Sequence, residues 1–115
     1  YGHQARAHER CPVTRERVEA LRALLAENPN DSFARYALAL ELRSQGNTAA
    51  AHELLEMLAL DEPDNHAAWF QLGDLRASLG QLADARDAFE QAIAAADEAG
   101  DHRASAEIRA ALEAL

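Results

Sequence analysis

Hydrophobic residues recur every three or four positions along most of this chain, in blocks that end at glycine or proline. Val18, Leu21, Leu24 and Leu25 form the first block, which stops at Pro29. This spacing places the apolar residues on one face of an α-helix, and no alternating run typical of a β-strand occurs. The pattern predicts an all-α chain of six helices.

The stretch from residue 66 to residue 97 predicts two amphipathic helices that join at Gly80. Its large and small residues follow the spacing W-x2-L-G-x6-G-x4-A-x3-F-x2-A, formed by Trp69, Leu72, Gly73, Gly80, Ala85, Phe89 and Ala92. Gly73 and Ala85 are small where two helix axes would cross, so the two backbones can approach closely. This pattern resembles the tetratricopeptide repeat (TPR), a helical hairpin of about 34 residues, and the chain is similar to small bacterial members of that family.

The preceding segment repeats the pattern 34 residues earlier, as the pairs Pro29 and Pro63, Gly46 and Gly80, and Ala51 and Ala85 show. Two repeats, 32–65 and 66–99, therefore lie between a cap helix at 13–28 and a cap helix at 101–115. The resemblance implies a right-handed superhelix of antiparallel hairpins, an α-α solenoid. Arg35 stands at the tryptophan position of the first repeat. Arg76 stands where the family has a large apolar residue, so we expect its stem along the core and its guanidinium at the edge.

Charge and composition narrow the class of partner. The net charge is −9 and all 11 basic residues are arginine, which excludes the clustered basic surface that nucleic acids require. No apolar run approaches the roughly 20 residues that span a bilayer, so no membrane insertion is expected.

The compartment stays unknown, although we expect the cytoplasm rather than export. The lone Cys11 excludes an internal disulfide.

Residues 1–12 carry no helical periodicity and end in proline, which predicts a disordered or extended tail. The alternative is a metal site built from His3, His8 and Cys11, although a structural zinc site needs four ligands. We expect no metal and no cofactor.

The resemblance also implies a partner-binding groove lined by the first helix of each repeat. Carried onto this chain, the main groove positions are Phe33, Tyr36, Leu40, Arg43, Phe70, Gln71 and Asp74. Exposed apolar residues on such a face are typical of a binding surface. The alternative is internal coverage, in which neighbouring side chains or the C-terminal helix pack on these residues.

Family members that hold the C-terminal carboxylate of chaperones use Lys and Asn at positions where this chain has Tyr36 and Leu40. A carboxylate clamp is therefore disfavoured, and an apolar helix or extended peptide is the better expectation. A second surface is acidic, with Asp84, Asp87 and Glu90 on the outer helix of the second repeat. It is either a solvated face or a site for a basic partner.

Catalysis is not expected. His52, His66 and His102 lie on separate predicted elements, and the serines and threonines are explained as helix caps. The sequence predicts a non-catalytic module or scaffold for protein–protein interaction that binds a peptide or helix of a partner. Two alternatives remain open: a self-associating, homodimeric unit, or a fragment of a longer solenoid, since the chain begins at Tyr1 rather than Met.

Overall fold

The computed structural model describes residues 2–115, with side chains from residue 15 onward. The described part contains six α-helices and no strand, in the order α1 (Gly2–Glu27), α2 (Ser32–Ser44), α3 (Thr48–Asp61), α4 (His66–Ser78), α5 (Leu82–Glu98) and α6 (His102–Glu113). The all-α prediction is confirmed. Helices α2 and α3 fall inside the predicted repeat 32–65, α4 and α5 inside 66–99, and α6 inside 101–115.

Helix α1 begins at Gly2, whereas the hydrophobic pattern predicts its start at residue 13. The pattern could not mark this earlier start, because residues 1–12 hold polar and small residues without periodic spacing. The side chains of residues 1–14 lie outside the described ones. Residues 2–12 lie in α1, so the predicted disordered or extended tail is wrong for them. The alternative metal site of His3, His8 and Cys11 depends on side chains outside the described ones and stays a prediction.

Glycine ends the first helix of each repeat. Gly46 and Gly80 have φ angles of 84° and 79°, a left-handed conformation that side chains with a Cβ rarely adopt. This conformation lets the amide of Gln81 donate to the carbonyl of Arg76 at 2.9 Å, and the amide of Asn47 to that of Leu42 at 2.8 Å. The orphan carbonyls at the helix ends are thereby satisfied, as in a Schellman motif.

Side-chain carboxylate and amide oxygens cap three of the helix starts. Asp31 accepts from the amide of Ala34 at 3.0 Å at the start of α2, where the sequence offers Asp31 or Ser32. Asn65 does the same for α4, at 3.1 Å from the amide of Ala68, and Asp101 for α6. Each cap satisfies an amide that has no partner within its helix.

The chain divides into two compact units, Tyr1–Ala51 and His52–Leu115. In the first unit, α1 packs against α2. Buried apolar residues of both helices form its core: Val18, Leu21, Ala34, Leu38, Ala39 and Leu42. Arg17 on α1 also pairs with Glu41 on α2 at 2.7 Å.

In the second unit, α5 packs against both α4 and α6. Its core cluster consists of Phe89, Ala92, Ile93, Ala96 and Ile108, with partly buried Trp69, Phe70 and Leu112 around it. A Cβ atom added at Gly73 would lie 2.7 Å from two ring atoms of Phe89 and 3.2 Å from the carbonyl oxygen of Ala85. The close approach of α4 and α5 therefore depends on glycine at residue 73, as the sequence predicts.

Candidate partner-binding surface

One face of α2 presents large side chains outward. Phe33, Tyr36 and Leu40 are spaced i, i+3 and i+7, so they lie along one stripe of the helix, which we call the α2 face. Phe33 is 76% exposed, while Tyr36 and Leu40 are half-buried. The buried residues of α2 are Ala34, Arg35, Leu38, Ala39 and Leu42. The core thus uses the other side of the helix and leaves Phe33 in solvent.

Three of the predicted groove positions carry polar side chains. Arg43 continues the α2 face at i+10 and is half-buried, and on α4 Gln71 is half-buried and Asp74 is exposed. All three already engage other groups of the protein. Any contact that they make with a partner would therefore replace or share an existing interaction.

Phe70 on α4 contributes to the packing of the second unit. Its ring centroid lies 5.8 Å from that of Phe89, at an interplanar angle of 34°, and the side chain packs against the core cluster. Aromatic pairs in this arrangement stabilise a core beyond the area that they bury. For Phe70 the alternative of internal coverage therefore has support, although the side chain is only partly buried.

The predicted site residues divide between the two units. Phe33, Tyr36, Leu40 and Arg43 belong to Tyr1–Ala51, and Phe70, Gln71 and Asp74 to His52–Leu115. That they act together as one binding surface stays a prediction.

The sequence predicts only part of the role of Arg76. Its side chain is 15% exposed. The guanidinium donates to Glu56 Oε2 at 3.0 Å, to His52 Nε2 at 3.3 Å and to the carbonyl oxygen of Asp84 at 3.3 Å. Arg76 on α4 thus binds side chains of α3 and the first turn of α5. The resemblance implies a large apolar residue at the position of Arg76. The distant partners carry no signal in the local sequence pattern.

Electrostatic interactions also join α5 to α6. Arg109 donates to Asp97 Oδ2 at 2.9 Å and to Ser105 Oγ at 3.3 Å. A hydrogen bond from Ser105 and the charge of Arg109 lower the pKa of Asp97, while partial desolvation opposes the shift. Asp97 lies in the acidic outer helix of the second repeat, so part of that acidity is used within the fold.

The described residues meet the requirements of neither a metal site nor a membrane-spanning helix. From residue 15 onward, no three His, Cys, Asp or Glu side chains lie close enough to hold a metal ion. Within the same range, every buried polar side-chain atom has a hydrogen-bond partner. None of the helices in the described part of the chain is both long and apolar enough to cross a membrane.

Comparison with known proteins identifies the class of fold. The model of the tetratricopeptide repeat family matches residues 36–101. A TPR repeat-containing protein of Pseudomonas aeruginosa is 33% identical over 98 residues, which cover 85% of this chain and 93% of the relative. The solution structure of a TPR domain protein from Salinibacter ruber has a TM-score of 0.70 and 35% identity, covering 74% of this chain and 86% of that one.

The fold is also similar to that of a protein whose structure contains a bound peptide. The type III secretion chaperone SycD of Yersinia enterocolitica, in complex with a peptide of the translocator YopD, has a TM-score of 0.80 over 96% of this chain and 86% of that chain. Its identity of 18% shows a shared fold only. Together with the repeat spacing, these matches show that the chain belongs to the tetratricopeptide repeat family. Members of the family are generally non-catalytic protein-interaction modules.

Proposed function

We propose that this protein is a non-catalytic interaction module that binds a peptide or helix of a partner protein through the first helix of each repeat. The exposure of Phe33 is the observation that carries the proposal. Burying a phenylalanine side chain yields about 1.5–3 kcal/mol relative to leaving it in water. A partner that covers the α2 face would gain this free energy, whereas the packing of α2 on α1 does not use it.

The residues of the α2 face fit an apolar ligand segment. Phe33 and Tyr36 supply large, rigid contact area, and Leu40 extends it along the helix. The α2 face and its neighbours Ala37 and Arg43 thus carry no negative charge. We therefore propose that apolar side chains of the ligand contact the α2 face, while Arg43, Gln71 and Asp74 contribute polar contacts.

Phe70 is the exception among these positions, because it serves the core as well as the proposed surface. Phe70→Ala would remove its contact with Phe89 and destabilise the second unit, so a loss of binding by this variant could not be assigned to the surface. Phe33→Ser is the informative substitution, since 76% of Phe33 is already exposed.

The experiment is a selection of random 16-residue peptides displayed on phage against the whole chain, followed by mapping with 15N-labelled protein. Selected peptides should shift amide resonances of α2 and α4. Phe33→Ser should weaken their binding by about tenfold or more. Leu82→Ser is the matched control, because Leu82 is also exposed and lies outside the proposed surface. Peptides that shift only other helices, or bind Phe33→Ser as tightly as the wild type, would contradict the proposal.

Self-association of the α2 face is the second candidate, and the same exposed Phe33 supports it. Light scattering behind a sizing column, over a wide range of concentration, separates the two. A dimer that Phe33→Ser converts into a folded monomer would assign the α2 face to a second copy of the chain. A monomer in both cases leaves the face for another protein.

A further inference from the structure

The outward side of α3 carries a second exposed apolar pair, on a different helix from the proposed peptide-binding surface. Met57 and Leu60 are 52% and 65% exposed and lie three residues apart, on one face of the helix. The buried residues Ala51, Leu55, Leu58 and Ala59 occupy the other side. The core therefore does not require Met57 or Leu60.

The repeat itself supplies the comparison that makes this pair unusual. One repeat later, on α5, the equivalent exposed positions are Gln91 and Ala94, and one repeat earlier, on α1, they are Ala23 and Ala26. The fold thus accepts small or polar residues at both positions. Only α3 of these three helices has two large apolar side chains there.

Carboxylates lie at both ends of the apolar pair. Glu53 precedes Met57 by one helical turn, while Asp61 and Asp64 follow it, and all three are exposed. Residues 44–75 contain six acidic residues and no arginine or lysine. We call Glu53, Met57, Leu60, Asp61 and Asp64 the α3 surface. Its helical part, from Glu53 to Asp61, spans about 12 Å at 1.5 Å per residue, and Asp64 lies in the turn that follows α3.

We infer that the α3 surface docks a basic amphipathic helix of another protein. Charge complementarity decides among the possible occupants. A second copy would bring the carboxylates of two α3 surfaces together, and like charges across an interface are unfavourable. An anionic membrane would be repelled in the same way. A partner with lysine or arginine on both sides of an apolar stripe would gain attraction at both ends of the pair.

The partner is a helix because of what α3 offers it. The amides and carbonyls along α3 are used within the helix, so an extended strand would find no backbone partners there. Apolar residues spaced i, i+3 or i+4 on a partner helix match the spacing of Met57 and Leu60. The flexible thioether of Met57 adapts to different apolar side chains.

The test uses the whole chain and a fluorescein-labelled designed 16-residue helical peptide, with a leucine stripe flanked by lysines. Fluorescence anisotropy should show binding that weakens with rising salt. The variant Met57→Gln/Leu60→Ala carries the residues of α5 at the same positions and should fold normally by circular dichroism. It should bind the peptide about tenfold or more weakly, because two apolar contacts are lost.

Three controls make the result decisive. A peptide with glutamate in place of lysine and a scrambled peptide should both fail to bind. Phe33→Ser should leave the binding of the basic peptide unchanged, which separates this surface from the α2 face. The inference is overturned by absence of binding, by equal binding of the glutamate peptide, or by a Met57→Gln/Leu60→Ala variant that binds like the wild type. A concentration-dependent dimer that this variant abolishes would also overturn it, in favour of a second copy.

Discussion

Arg35 and Trp69 make the same hydrogen bond one repeat apart. Arg35 Nε donates to the carbonyl oxygen of Pro29 at 3.0 Å, and Trp69 Nε1 donates to that of Pro63, also at 3.0 Å. Arg35 adds a second bond, from Nη2 to Asn30 Oδ1 at 2.8 Å. Two chemically different side chains thus hold the turn that precedes their own helix, so the departure from the family pattern at Arg35 preserves the contact.

Removing these hydrogen bonds should lower the free energy of unfolding more at Arg35 than at Trp69. Arg35→Met keeps most of the aliphatic stem but loses both bonds at a buried position, and should lower the free energy of unfolding by about 1–3 kcal/mol. Trp69→Phe keeps a ring and loses one bond near the surface, so we expect about 1 kcal/mol or less. Urea unfolding followed by circular dichroism measures both. Equal stability of Arg35→Met and the wild type would show that water replaces the two bonds without loss.

Gly73→Ala tests the contact between α4 and α5. Alanine gains about 1 kcal/mol over glycine in helix propensity, but its Cβ would lie 2.7 Å from the buried ring of Phe89. Overpacking of this kind costs about 1–3 kcal/mol of stability. We therefore expect Gly73→Ala to lower the free energy of unfolding, and Gly73→Leu to lower it further, by several kcal/mol.

The combination with Phe89→Leu isolates this effect. If the Phe89 ring clashes with the added Cβ, Gly73→Ala should destabilise the Phe89→Leu variant less than the wild type. A double-mutant cycle of thermal or urea unfolding measures this difference. Strict additivity, or a stabilised Gly73→Leu, would mean that α4 and α5 do not approach at residue 73.

Arg76→Met should lower the free energy of unfolding by about 1–3 kcal/mol, because it removes three hydrogen bonds from a largely buried side chain. Glu56→Gln should cost only about 0.5 kcal/mol, since the Glu56 side chain is 46% exposed and solvent screens the pair. A cycle of the two variants in urea gives the coupling. Arg86→Met, at an exposed position of α5, is the control and should change stability by less than about 0.5 kcal/mol.

Asp97 should make stability depend on pH in the acid range. The pKa of Asp97 is lowered by Ser105 and Arg109, so the ionised form favours the fold. Its contribution is present above the unfolded pKa of about 3.9 and is lost as pH falls through the lower folded pKa. Asp97→Asn should therefore lower the melting temperature at pH 7, and the difference from the wild type should shrink below about pH 4. Asp87→Asn, on the same helix, should not show this convergence.

Much of the fold could be predicted from local signals. Helix starts at Asp31 and ends at Gly46 and Gly80 depend on the chemistry of one or two neighbouring residues, and each appears where the sequence indicates it. The start of α1 at Gly2 differs, because residues 1–12 have no periodicity to mark a helix. Among the predicted site residues, Phe33 is exposed, and its role in binding stays a prediction. The packing of Phe70 on Phe89 depends on α5 and could not be predicted from α4 alone.

The sequence by itself determined the repeat length, the helices of the two hairpins and the need for glycine at residue 73, since these follow from the spacing of apolar and small residues. The tertiary structure decided which polar side chains became part of the packing. Arg76 meets His52 and Glu56, which are 24 and 20 residues away, and Arg109 meets Asp97 at a distance of 12 residues. It also decided that Met57 and Leu60 face solvent. Such contacts and exposures depend on where folding places other helices, and a periodic pattern within one helix does not contain that information.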